Sequence, residues 1–156
     1  MTKLLLTTIM VLAITGCATI PQDGETVKIK AKPEGVWNHT GVKVTSGDKV
    51  SVRYLRGQWR SNPHWGPTDA EGSSRNTAPD SYLLPGTPEG GLIGKVGGNS
   101  LGGGCEPFVL GNEGSVPPGR EGELWLTVND EVRPGESFAG FADNSGNVVV
   151  RITVER

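Results

Sequence analysis

The chain has 156 residues, a formal net charge of −2, 24 glycines and 11 prolines. It has no basic stripe, which argues against a nucleic-acid partner, and 35% hydrophobic content with four tryptophans argues against disorder. Abundant Gly and Pro combined with short alternating apolar runs point to a single all-β domain rich in turns.

Lys3 is followed by an apolar run, Leu4–Ile14, and then by Thr15-Gly16-Cys17. A basic start, an apolar stretch of roughly a dozen residues and small residues at its end describe a secretory signal. The run is too short for a spanning helix, which needs about 20 apolar residues. A cysteine directly after Gly16 resembles the lipobox of bacterial lipoproteins. That resemblance implies a signal peptide over residues 1–16, a lipid such as palmitate on Cys17, a tether over residues 17–24 and a folded domain over residues 25–156. Ala18, where inner-membrane lipoproteins carry Asp, implies the outer membrane. With Cys17 acylated, Cys105 has no partner, so no intrachain disulfide is expected. Cys105 is read as a small buried apolar residue.

Thr26–Ala31 alternates with period two and predicts a first strand. Trp37, Val42 and Val44 lead to the Gly47-Asp48 turn. Val50, Val52 and Tyr54 then alternate with Ser51 and Arg53 in a strand that runs to about Trp59. From Asn62 to Gly91 the chain is dense in turn signals, including Asn62-Pro63, Gly66-Pro67 and Pro85-Gly86, and reads as a long ordered loop with a few short strands. Leu92–Val96 and Phe108–Leu110 are short buried runs. Gly102-Gly103-Gly104 between them reads as a flexible bend. Leu124, Leu126 and Val128 define a strong strand, and Val148, Val150, Ile152 and Val154 define the last. Helix periodicity is missing, so the expected fold is a jelly-roll-like β-sandwich of about eight strands.

The candidate chemistry sits between the last two strands. Leu124–Val128 ends in Asn129-Asp130, and the final strand begins after Asp143-Asn144-Ser145-Gly146. If the two strands form a hairpin, Asp130, Asp143 and Asn144 converge at one edge. Two carboxylates and an amide oxygen are hard donors of the kind calcium takes in sets of 6–8; zinc would ask for His or Cys. The same residues also read as ordinary turn formers, whose side chains bond the local backbone. Gly90–Val96 has too few residues between its glycines for a phosphate loop and lacks the Ser or Thr. No Gly-x-Ser-x-Gly elbow suggests a hydrolase.

Several segments, in order from about Thr40 to Val154, resemble the calcium-dependent galactophilic bacterial lectins of the LecA type. Gly47–Val52 resembles that family's Pro-Gly-Asp strand opening. Gly57-Gln58-Trp59-Arg60-Ser61 and His64-Trp65-Gly66-Pro67 resemble its Gly-Trp-Ala-Ser and Lys-Trp-Gly-Pro segments. Leu92–Gly97 is similar to its Leu-Val-Met-Lys-Ile-Gly run, and Glu123–Asp130 with Asp143–Gly146 resembles its ending. The resemblance implies calcium held by Asp130, Asp143, Asn144 and a backbone carbonyl near Asn62. It implies carbohydrate contacts from Asp130 and Asp143. Where the family places a His and a Gln, Ala78-Pro79-Asp80-Ser81 supplies only Ala and Ser81, so the epimer-selecting side chains differ. Trp37, Trp59, Trp65 and Trp125 could each stack on a sugar ring, and Trp65, in a loop beside Gly66-Pro67, is the one expected to do so. The expected function is a non-enzymatic, calcium-dependent carbohydrate-binding domain on an outer-membrane lipid anchor. The alternative is a structural or protein-interaction module of the envelope with neither metal nor sugar.

Overall fold

A computed structural model describes residues 24–132 and 140–156. The expected signal segment, Cys17 and most of the expected tether lie outside them. Among the described residues there is no helix and there are eight strands: β1 (Glu25–Lys30), β2 (Asn38–Val44), β3 (Lys49–Arg60), β4 (Leu92–Val96), β5 (Phe108–Val109), β6 (Glu113–Ser115), β7 (Gly122–Val128) and β8 (Ser145–Glu155). They form two four-stranded sheets, ordered β1-β8-β3-β6 and β2-β7-β4-β5, with every pairing antiparallel. The all-β sandwich expected from the alternation is therefore the fold.

The core lies between the sheets because one face of each strand is apolar. Val50 and Val52 of β3, Val148, Val150 and Ile152 of β8, and Leu124, Leu126 and Val128 of β7 are all buried. β3 changes parity on the way. Its register against β8 slips between Tyr54 and Arg56, and one extra residue in a ladder turns the following side chains to the other face. Even-numbered residues face the core before the slip; after it Trp59 does, at 1% exposure. Gly57 follows the slip with φ 97°, where a Cβ would meet the Asn147 carbonyl at 2.5 Å, so only glycine fits.

Trp59 also ties the sheet to the long loop. Its Nε1 donates to the Gly90 carbonyl at 2.8 Å, and its backbone exchanges two hydrogen bonds with Thr68. Trp59→Ala is expected to destabilise the domain by about 3–5 kcal/mol. Trp59→Phe should cost about 1–3 kcal/mol by leaving a buried carbonyl unpaired. Urea unfolding of the two variants measures both.

The second sheet is covered on its outer face as well, and for this reason β4 is buried at every residue. Val36 and Trp37 lie against the loop after β4, with Val36 N and Trp37 N both donating to the Ser100 carbonyl. Lys95, only 1% exposed, donates from Nζ to the carbonyls of Asn99 (2.8 Å) and Gly103 (2.9 Å) and sits 4.9 Å from the Trp37 ring centroid. Burial pulls its ammonium down to about 8. The glycine run expected to be a flexible bend is thus folded over a buried cation. Cys105 packs half-buried at the end of this loop; its Sγ accepts from Val96 N and donates to the Glu106 carbonyl.

Candidate functional site

One rim of the sandwich gathers four chain ends. β3 ends where β8 begins, with Arg60 opposite Ser145. β4 begins where β7 ends, with Leu92 opposite Val128. The loop 61–91 joins β3 to β4 and so crosses from one sheet to the other at this rim. The expected hairpin between the last two strands does not form: β7 pairs with β2 and β4, and β8 with β1 and β3. Asp130 and Asp143 nevertheless meet, because their strands end and begin at the same rim of opposite sheets.

The loop is held in place by Asn129, fully buried at the end of β7. Its Oδ1 accepts from Leu84 N at 3.0 Å. Its Nδ2 donates to the Leu84 carbonyl and to Thr87 Oγ1, both at 2.9 Å. Its backbone bonds to Gly90 and Gly91. Asn129 therefore splices a segment more than forty residues away in sequence onto the strand, where a local turn was expected of it. Asn129→Ala is expected to cost about 2–3 kcal/mol, because Leu84 would keep an unpaired backbone donor and acceptor. Faster proteolysis confined to residues 82–90 would report the same loss.

Beside Asn129, Asp130 is 3% exposed. Its Oδ1 accepts from Glu131 N at 2.7 Å, while Oδ2 is buried with no hydrogen-bond partner among the described residues. Burial pushes the carboxyl up to about 7, with the negative charges of Asp143 and Glu89 adding to the effect. The Glu131 amide and the nearby Asn144 side chain oppose it, although the Asn144 Nδ2 donates to the Ala31 carbonyl and no hydrogen bond among the described residues reaches Oδ2. Asn144 is buried too. Its Nδ2 donates to the Ala31 carbonyl at 3.1 Å, which fixes the amide and leaves Oδ1 buried with no partner among the described residues.

A cavity of about 200 Å³ opens here, lined by Ser61, Asn62, His64, Tyr82, Asp130 and Asp143, with Pro63, Glu131 and Gly140 completing it. Of the residues singled out in the sequence, Asn62, Asp130 and Asp143 line this cavity and Asn144 is buried nearby. Asp143 is exposed. Trp65 and Ser81 do not line it. Trp65, half-buried, borders an adjoining cavity; Ser81 is exposed, and its carbonyl accepts from Val132 N. Trp37 and Trp59 are core residues, and Trp125 packs against the His39 ring at 4.7 Å. Sequence reasoning passed over Ser61, His64 and Tyr82. Tyr82 pairs with Glu131 in an isolated bridge, and its phenol is held well above its usual range by burial and by its hydrogen bond to Glu89. One signal pointed to Tyr82, its place next to Ser81 in the loop before β4.

Among the described residues no group of three or more His, Cys, Asp or Glu side chains is placed to hold a metal. The Asp130 and Asp143 carboxylates line the cavity and the Asn144 amide is buried nearby, oxygen donors of the kind calcium takes rather than zinc. The orphaned pair Asp130 Oδ2 and Asn144 Oδ1 fits such an ion, since buried polar atoms ordinarily have partners.

No protein-family model matches this chain, and no curated protein matches it. Among solved structures, a chain described as the EclA N-terminal domain, a PllA-like lectin, superposes with a TM-score of 0.53. The match covers 83% of this chain and 95% of that chain, at 19% sequence identity. The chain has the fold of a lectin domain. The relationship lies in the backbone, so the rim of this lectin-like domain has to be read from its own residues.

Proposed function

We propose that this lectin-like domain binds carbohydrate through a calcium ion held at the rim by Asp130, Asp143, Asn144 and the backbone near Asn62. The reading is carried by two buried oxygens, Asp130 Oδ2 and Asn144 Oδ1, that have no partner among the described residues beside one polar cavity. Bound calcium would supply a centre on which vicinal sugar hydroxyls replace water. The residues around it divide the remaining work. The Ala31 carbonyl orients the Asn144 amide, the Glu131 amide orients Asp130, and Tyr82 and His64 border the space a sugar would enter. The lectin fold of the solved neighbour supports the carbohydrate part of this reading.

Thermal melting of the protein with millimolar calcium and with chelator tests it. Calcium at 100 times its dissociation constant should add about 2.7 kcal/mol, and a glycan array with and without calcium then identifies the sugar. Equal melting temperatures in the two conditions would favour the metal-free interaction module. That alternative requires Asp130 to be accommodated as a neutral acid.

We further propose that Cys17 carries the lipid and anchors the domain at the outer membrane. The expected outcome is acyl labelling and envelope fractionation of the wild-type chain, with both lost in Cys17→Ser.

A further inference from the structure

A second, larger cavity adjoins the first and shares His64 with it. It measures about 510 Å³ and is bordered by Trp65, Pro67, Thr68, Ser73, Arg75 and Asn76 in addition to His64. Pockets that enclose a small molecule run from about 300 to 1,000 Å³, so this one admits a ring. The first, at about 200 Å³, suits an ion and the edge of a sugar.

Both walls are set by hydrogen bonds. On one side the backbone turns at Asn62, whose carbonyl accepts from Trp65 N and whose Oδ1 accepts from His64 N. Asn62 borders the first cavity, so a single residue orients both. On the other side Ser73 N donates to the Glu89 carbonyl and Glu89 N to the Asn76 carbonyl. Ser73 Oγ gathers Arg75 N, Asn76 N and Asn76 Nδ2 within 3.2 Å. Gly72 takes φ +81° beneath this turn, and a Cβ there would lie 2.4 Å from Gly91 N. The turn that presents Arg75 is thus fixed to the segment of Glu89, the residue whose carboxylate helps raise the Tyr82 phenol of the first cavity.

The chemistry of the second cavity differs from that of the first. The first is acidic. Among the described residues the one full charge on this wall is the Arg75 guanidinium, and no carboxylate lies within ion-pairing distance of it. An indole, an amide and an unpaired guanidinium together match a sugar that bears a carboxylate: the indole offers a ring face, and the planar fork of Arg meets the carboxylate oxygens in pairs.

We propose that this cavity is a second subsite, and that it takes the acidic unit of a uronate-bearing oligosaccharide whose neighbouring sugar occupies the calcium rim. The inference rests on the carbohydrate reading above. The experiment uses the full chain and matched pairs of oligosaccharides, each uronate-bearing compound beside its carboxyl-reduced form. With calcium present, titrations should show the acidic members binding about tenfold more tightly, a difference of 1.4 kcal/mol. Arg75→Ala should erase that preference while leaving calcium affinity and binding of the reduced members unchanged, and Arg75→Glu should invert it. Arg75 is exposed, so both variants should fold. Equal binding of acidic and reduced members, or a preference that survives Arg75→Ala, would overturn the subsite. No binding of either member would overturn it together with the carbohydrate reading. An Arg75-dependent preference without any calcium response would uphold the subsite and remove the metal from the first cavity.

Discussion

Asp130→Asn is expected to abolish the calcium response and, in chelator at pH 8, to raise stability above that of the wild-type chain. Both outcomes follow from one buried carboxyl. With its proton lost and no cation nearby, Asp130 holds a charge at 3% exposure beside Asp143 and Glu89. Its displacement from 3.8 to about 7 converts, at 1.36 kcal/mol per pH unit, to an upper bound of about 4 kcal/mol. An amide of the same shape carries no such cost and can still accept from Glu131 N. The calcium-free variant should therefore gain on the order of 1–4 kcal/mol by urea unfolding at pH 8, within that same conversion. A site that sacrifices stability for its ligand behaves in this way. A neutral or destabilising result in chelator would mean that Asp130 is paired in a manner the structure does not show.

The second large effect is a reversal of pH dependence. The folded carboxyl releases its proton near 7 and the unfolded one near 3.8. Between those values the folded chain retains a proton that the unfolded chain has lost. Stability from this group is therefore complete below about 3.8, declines as pH rises and is gone above about 7. The difference between wild type and Asp130→Asn, taken at each pH in chelator, isolates it from the other carboxylates. Saturating calcium competes with the proton for the same oxygens, so the decline should vanish and calcium affinity should increase with pH up to about 7. A difference curve flat from pH 4 to 8 would contradict the burial argument.

Much of the fold was legible because a sandwich writes itself as period-two alternation. Val50-Ser51-Val52 and Val148–Val154 could be read directly. β6 could not: Glu113-Gly114-Ser115 holds no apolar residue, and Gly114 is there because a Cβ would strike the Leu110 carbonyl at 2.5 Å. Lys95 was equally hidden, since nothing local tells that a later loop will fold its carbonyls onto a lysine. The site was partly legible. Asp130, Asp143 and Asn144 were expected to converge and do lie together at one rim, but the hairpin expected to bring them there does not exist. Sequential strands suggest pairing, whereas which sheet a strand joins depends on partners far along the chain, here β3 and β4. Tyr82 and His64 were missed because loop residues follow no period. The order of loop 61–91 comes from distant groups, chiefly Asn129 and Trp59, and not from its own turn dipeptides.

The central question is whether the two orphaned oxygens, Asp130 Oδ2 and Asn144 Oδ1, share a cation. Crystals grown with calcium decide this directly. The expected result is one ion bonded to Asp130 Oδ2 and Asn144 Oδ1 within a shell of 6–8 oxygens at roughly 2.3–2.6 Å, with Asp143 among the donors. A map in which Asp130 Oδ2 bonds only to protein or water at millimolar calcium, with no ion at the rim, would contradict it.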